Sequence, residues 1–229
     1  MVSAPFDIET GDYEQERHIF DMWRWINAQL AAMEAAPDFD SAYFKQSGQN
    51  IKKLIEEAIP IASFGLRFVR PMDEVFIKCL TGNQPYDATL RVEGFNRLDI
   101  KVEVTTTETE ETVFARQELA EKGMVHRPAR FEKVGKQKNI LPSEMVDMGE
   151  QWEEWVAVAL DRAVRKVDSR RYDRTTAILV RVDTWSPLPM SSRANLITQT
   201  RNRLVDRLSD VYGVYYLHRR EIDEVRELS

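Results

Sequence analysis

One cysteine and three histidines are all the thiol and imidazole groups that this chain of 229 residues carries. Cys79 alone can form neither an internal disulfide nor a multi-cysteine zinc or iron–sulfur site, which points to a reducing compartment, expected to be the cytoplasm. His18, His126 and His218 lie far apart with no nucleophile motif beside them, so each is expected to be an ordinary side chain. The longest apolar stretch, Ala58 to Leu66, is too short and broken to cross a bilayer, and the acidic start, Met1 to Arg17, lacks a basic-then-apolar leader pattern. Neither secretion nor a membrane partner is expected. No Walker loop, no Gly-x-Gly-x-x-Gly cradle and no His-Glu-x-x-His helix is present, which argues against nucleotide hydrolysis and zinc proteolysis.

What is present is enough apolar material, 43% of residues, to bury one sizeable core. The reading is a helical extension over residues 1–46 and a main domain over 47–229, together one compact unit. The net charge of −6 belongs to residues 1–60, with 11 acidic and 5 basic side chains, so the remainder is neutral. Two basic clusters stand out there. Arg127, Arg130, Lys133, Lys136 and Lys138 fall in a polar stretch, His126 to Pro142, read as an irregular arm; Arg162, Arg165, Lys166, Arg170, Arg171 and Arg174 form the second. Either could track phosphates or simply be a solvated face.

Periodicity sets out the elements. Ile19, Trp23, Ile26, Leu30 and Met33 recur at helical spacing and predict one helix over Tyr13 to Ala35. A second is expected from Gln49 to Phe64, kinked or ended by Pro60. Glu74 to Leu80 reads as a strand, and Thr107-Glu108-Thr109-Glu110 as a capping box opening a helix that stops at Gly123. A long helix over Asp147 to Ser169, a buried strand over Thr176 to Val182, a helix from Leu196 to Val211 and a last strand, Val214 to Leu217, complete the chain.

Between these elements lies the most informative segment. Leu90 and Val92, then Leu98, Ile100, Val102 and Val104, alternate with Asp87, Asp99, Lys101, Glu103 and Thr105, so every acid falls on the polar side of a hairpin turned at Glu93-Gly94-Phe95-Asn96. Folding there brings Asp87 opposite Val102 or Glu103, according to whether a bulge intervenes.

From residue 49 onward the order is helix, three strands, helix, strand, with a further helix and strand appended. With an acid on the second strand and acids on the third, this resembles the restriction-endonuclease-like PD-(D/E)XK superfamily over about Gln49 to Val182. The resemblance implies an α/β fold with a central mixed sheet flanked by helices, and hydrolysis of phosphodiester bonds in nucleic acid, DNA ahead of RNA, with Mg²⁺ or Mn²⁺. Asp87 matches the first acidic position, although Tyr86 replaces the usual proline. For the second there are two candidates: Asp99-Ile100-Lys101 spells the motif, whereas Glu103-Val104-Thr105 fits the hairpin register and is preferred.

Choosing Glu103 leaves the family's lysine unassigned. Lys166 stands at the edge of the apolar face of the long helix, beside Trp155 and Ala159, and resembles a lysine that has migrated there; Lys101 is the alternative. Glu56 or Glu57, on the preceding helix, would complete the metal shell. The family's habit of dimerising allows a homodimer through the N-terminal helix. A second reading is a nuclease-like domain without catalysis that binds nucleic acid or protein.

Overall fold

Strand pairing in this computed structural model follows the alternation of the sequence. The structure describes residues 8–37, 39, 49–95, 97–122, 131–134, 137–140, 148–169, 171–183, 188–218 and 221–226. The molecule is mixed α/β. A seven-stranded sheet runs in the order β1 (Arg17–His18), β2 (Glu74–Cys79), β3 (Ala88–Glu93), β4 (Leu98–Thr106), β7 (Thr176–Arg181), β8 (Gly213–His218), β9 (Glu221–Val225). β5 (Phe131–Val134) and β6 (Gln137–Ile140) form a separate antiparallel pair.

Apolar residues meet apolar residues across the ladder. Ile77 faces Leu90, Leu90 faces Ile100, and Ala88 faces Val102. β4 and β7 then pair in parallel, as do β7 and β8, and β7 and β8 are buried on both faces and read as nearly continuous apolar runs. On one face lie α2 (Ile19–Glu34) and α3, which begins at Gln49; Ile19, Met22, Ile26, Leu54 and Ile61 pack there on Ile77, Ile100 and Val102. On the other lie α5 (Met148–Asp168) and α6 (Met190–Arg203), whose Ala159, Ala163 and Leu196 meet Ile178, Val180 and Tyr216. Each fully buried Ile or Leu stabilises by roughly 1.5–3 kcal/mol, so the two cores fix the sheet between them.

The differences from the pattern have local causes. The first long helix is broken into α1 (Thr10–Glu14) and α2, because Arg17 and His18 leave the helix to pair with Ile77 and Phe76 at the sheet edge. α3 does not end at Pro60. It passes from Gln49–Lys53 through a π turn, Leu54–Ala58, into Ile59–Gly65. The π turn gives the Ile59 N–H to the Leu54 carbonyl and frees that of Ile55, which accepts from Arg181 at 2.9 Å.

α4 (Glu110–Lys122) begins later than the capping box suggested. Thr109 Oγ1 accepts from the Thr112 N–H, while Thr107 is buried and accepts from the Asp183 N–H, tying β4 to the end of β7. β9 and the β5–β6 pair are strands that periodicity did not reveal, the latter replacing part of the expected irregular arm.

Arg181→Met would leave the Ile55 carbonyl without its donor. It should lower the free energy of unfolding by about 1–3 kcal/mol in urea titration, with an unchanged m-value. A wild-type midpoint would show that this bond contributes nothing.

Candidate active site

Asp87 sits one residue before β3, at the end of the ladder that sets Ala88 against Val102, and lies close enough to Glu103 for the two carboxyls to repel. Backbone bonds lock it there: the Asp87 N–H donates to the Val102 carbonyl at 2.8 Å, and the Leu80 N–H to the Asp87 carbonyl at 2.8 Å. Its side chain is held too, since Oδ2 accepts from the Val104 N–H at 2.7 Å. Glu103, 8% exposed, lies on β4 beside Ile178 of β7 and is met from the helix side by α5.

Three further side chains converge. Lys166, in the last turn of α5, donates to Glu103 Oε1. Tyr172, in the loop after α5, is also hydrogen-bonded to Glu103, which keeps its phenol protonated far above the ordinary range, burial being the larger cause. From α3, Lys53 donates to the Leu80 carbonyl and lies 2.9 Å from Glu57 Oε2, so the π turn presents Glu57 at the strand end that carries Asp87.

Crowding of carboxyls sets the electrostatics. Burial, then Glu103 and Glu57, push Asp87 up to about 7, against the Val104 N–H and the more distant Lys53. Among the described residues no group of three or more His, Cys, Asp or Glu side chains is placed to hold a metal ion by itself. Asp87 and Glu103 nonetheless fit a hard cation in chemistry, being oxygen donors whose mutual repulsion is relieved by either a proton or a positive ion; water and phosphate oxygens would supply the rest of the shell.

The other expected residues are placed as follows. Asp99 lies opposite Arg91, pairs with Arg97 at 2.9 Å, and comes four residues, roughly 13 Å, before Glu103 on β4. The structure therefore does not bring it to Asp87. Lys101 pairs with Asp173 at 2.7 Å, above the Tyr86 ring, and not with Glu103. Glu56 turns away to Lys52 at 3.6 Å and is a charged neighbour of Glu108, a carboxyl raised by burial and opposed by Arg116. Arg127, Arg130, Lys136 and His126 lie outside the described residues. Lys133 and Lys138 occupy opposed positions in the β5–β6 register. His18 packs at a tilt against Phe20 and edge-on against Phe76, and His218 lies 3.2 Å from Asp223, so neither is part of this site. Cys79 is a buried core side chain whose thiol burial pushes up to about 12.

Sequence reasoning missed Tyr172 and Lys53. Tyr172 lies among arginines in a loop, with no periodicity to mark it, and Lys53 reaches the site only through the tertiary crossing of α3. Compared with known proteins, the chain matches no family model, no curated protein and no solved structure.

Asp87 gives a pH-dependent stability. Its native pKa of about 7 exceeds the ordinary 3.8, so between those values the native state binds a proton that the unfolded chain has lost. Stability therefore falls as pH rises through that window and stays lowered above it. Asp87→Asn should raise Tm at pH 8 by at least about 2–4 °C, the shift that roughly 1 kcal/mol produces in a chain of this size, and change it little at pH 4. An equal shift at both pH values would mean that Asp87 carries no such proton.

Proposed function

We propose that the chain is a metal-dependent nuclease that hydrolyses phosphodiester bonds, DNA being the first substrate to try, on a fold of the restriction-endonuclease-like type. The observation that carries this reading is the neighbourhood of the Asp87 and Glu103 carboxyls, with Lys166 bound to Glu103. In its support, α3 is followed by three antiparallel strands, β2, β3 and β4, and β4 pairs in parallel with β7.

In this reading Asp87 and Glu103 hold Mg²⁺ or Mn²⁺, with Glu57 acting at longer range. The ion supplies neutralisation of phosphate charge and a more acidic water. Water oxygen bonds to phosphorus as one ester P–O bond breaks, and a proton passes to the departing oxygen. Lys166 is the cation nearest the pair. Its ammonium holds Glu103 in place at rest and can turn to the charge that develops on the phosphate oxygens. Tyr172 is a positioning residue, since its hydroxyl is hydrogen-bonded to the Glu103 carboxylate.

Labelled duplex DNA, single-stranded DNA and RNA should be incubated with Mg²⁺, with Mn²⁺, or with EDTA. Metal-dependent cutting is expected, lost by at least about 10²-fold in Asp87→Ala and in Lys166→Met. No cutting of any substrate by the folded wild type would favour the catalytically silent binding module.

The protonation of Asp87 adds a pH signature. Below about pH 7 a proton competes with the ion, so at limiting Mn²⁺ the cleavage rate should rise up to about tenfold per pH unit toward 7 and level off above it. A flat profile from pH 5.5 to 8.5 at limiting metal would remove Asp87 from the ligand set.

A further inference from the structure

Next to the carboxyl pair is a cleft of about 270 Å³ whose charged lining is entirely positive. Arg162, Arg165 and Lys166 enter it from the end of α5, and Arg171 and Tyr172 from the loop that follows. Thr105 contributes from β4, two residues past Glu103 and so on the same sheet face, which makes the cleft continuous with the site. No carboxylate lines it among the described residues. Arg165 is held by Asp161 at 2.8 Å and Lys166 by Glu103, but no ion pair engages Arg162 or Arg171 among the described residues.

Each charged group here has a chemical implication. Guanidinium groups carry fixed forks of N–H donors and no acceptor, and they match phosphate oxygens in pairs. Two arginines lacking an ion pair, brought together beside a cluster of carboxyls, present a like-charge arrangement that an anion would relieve. The opposite requirement holds at Asp87 and Glu103, the latter touched by Lys166 and Tyr172 of the same lining, where a cation or a proton is needed. An inorganic anion alone would satisfy the arginines. A phosphodiester chain satisfies both requirements at once, because its phosphates recur along the backbone.

We infer that the cleft binds a backbone phosphate of nucleic acid next to the one that is cut, with Arg162 and Arg171 as its principal contacts. This assigns a role to the second basic cluster of the sequence, and it makes the substrate a chain with at least two phosphates rather than a mononucleotide. The identity of the ligand rests on the nuclease reading; the geometry of the cleft does not.

The test is fluorescence anisotropy of labelled 20-mers (duplex DNA, single-stranded DNA and RNA) in EDTA, where nothing is cut, across a salt series. The wild-type chain is compared with Arg162→Gln/Arg171→Gln and, as a control, with Arg24→Gln on the outside of α2. The double variant should bind about tenfold or more weakly, and the slope of log Kd against log salt should fall by about two, one for each arginine that no longer neutralises a phosphate, while the control stays at wild type. Inorganic pyrophosphate should displace DNA from the wild type at lower concentration than from the double variant. Arg162→Lys/Arg171→Lys, which keeps the charge, guards against misfolding and should retain most of the binding and the slope.

Wild-type binding with an unchanged slope in a folded double variant would overturn the inference and leave the nuclease reading standing. Weakened binding in the double variant, with no metal-dependent cutting by the wild type, would overturn the nuclease reading and leave the cleft as a site for a nucleic-acid phosphate. A wild type that binds none of the three nucleic acids would overturn both.

Discussion

Val102 pairs with Ala88 on one side and with Ala177 on the other, and this three-strand alignment decides where the polar face of β4 can be used. Shifting either pairing by one residue would turn Ile100 and Val102 out of the core and Glu103 into it, so the apolar face enforces the register that the carboxyls need. Asp87 gains its position indirectly. It lies outside β3, yet its backbone extends the ladder by a bond to Val102, and its side chain takes the Val104 N–H that a longer β3 would have paired. Packing supplies the energy for an arrangement that electrostatics opposes.

The two carboxyls are supported unequally. Glu103 receives the Lys166 ammonium and the Tyr172 hydroxyl. Asp87 has one peptide N–H, with Lys53 behind Glu57 and engaged with the Leu80 carbonyl. Of the pair, Asp87 is thus the one that takes up a proton near neutrality. Such a group is held ionised by any cation that arrives, and exchanging its proton for a metal costs little at pH 7 or above.

What was legible in the sequence was what two-fold and 3.6-fold periodicity can carry. The polar alternation of β3 and β4 marked out Asp87 and Glu103, and the stripe of Val156, Ala159, Ala163 and Val167 put Lys166 at the edge of α5. A short spelled motif was a poorer guide, since Asp99-Ile100-Lys101 matched in letters but lay too far along the strand. Other features depend on contacts across more than a hundred residues. The π turn in α3 is tolerated because Arg181 meets the carbonyl that it frees, a partner 126 residues away. Edge strand β9 is written in Glu221, Asp223 and Glu224, charges that serve to keep an edge from pairing further and therefore hide it from an apolar pattern.

The end of α5 is where packing and charge meet. One face of the helix is apolar and fixes it on Ile178 and Val180, which leaves no freedom in where its last turn points. That turn carries Arg165 and Lys166, with Arg162 one turn before, to the face where β4 displays Glu103, and cations in it are favoured by the negative end of the helix dipole. A helix packed for core reasons thus sets a positive wall against a negative strand edge, bridged by one side-chain pair, Lys166 to Glu103. Neutralising either half alone leaves the other exposed to its own repulsion. A ligand that brings a cation to the strand and an anion to the helix neutralises both, and a phosphate ester with its divalent counterion has that charge pattern.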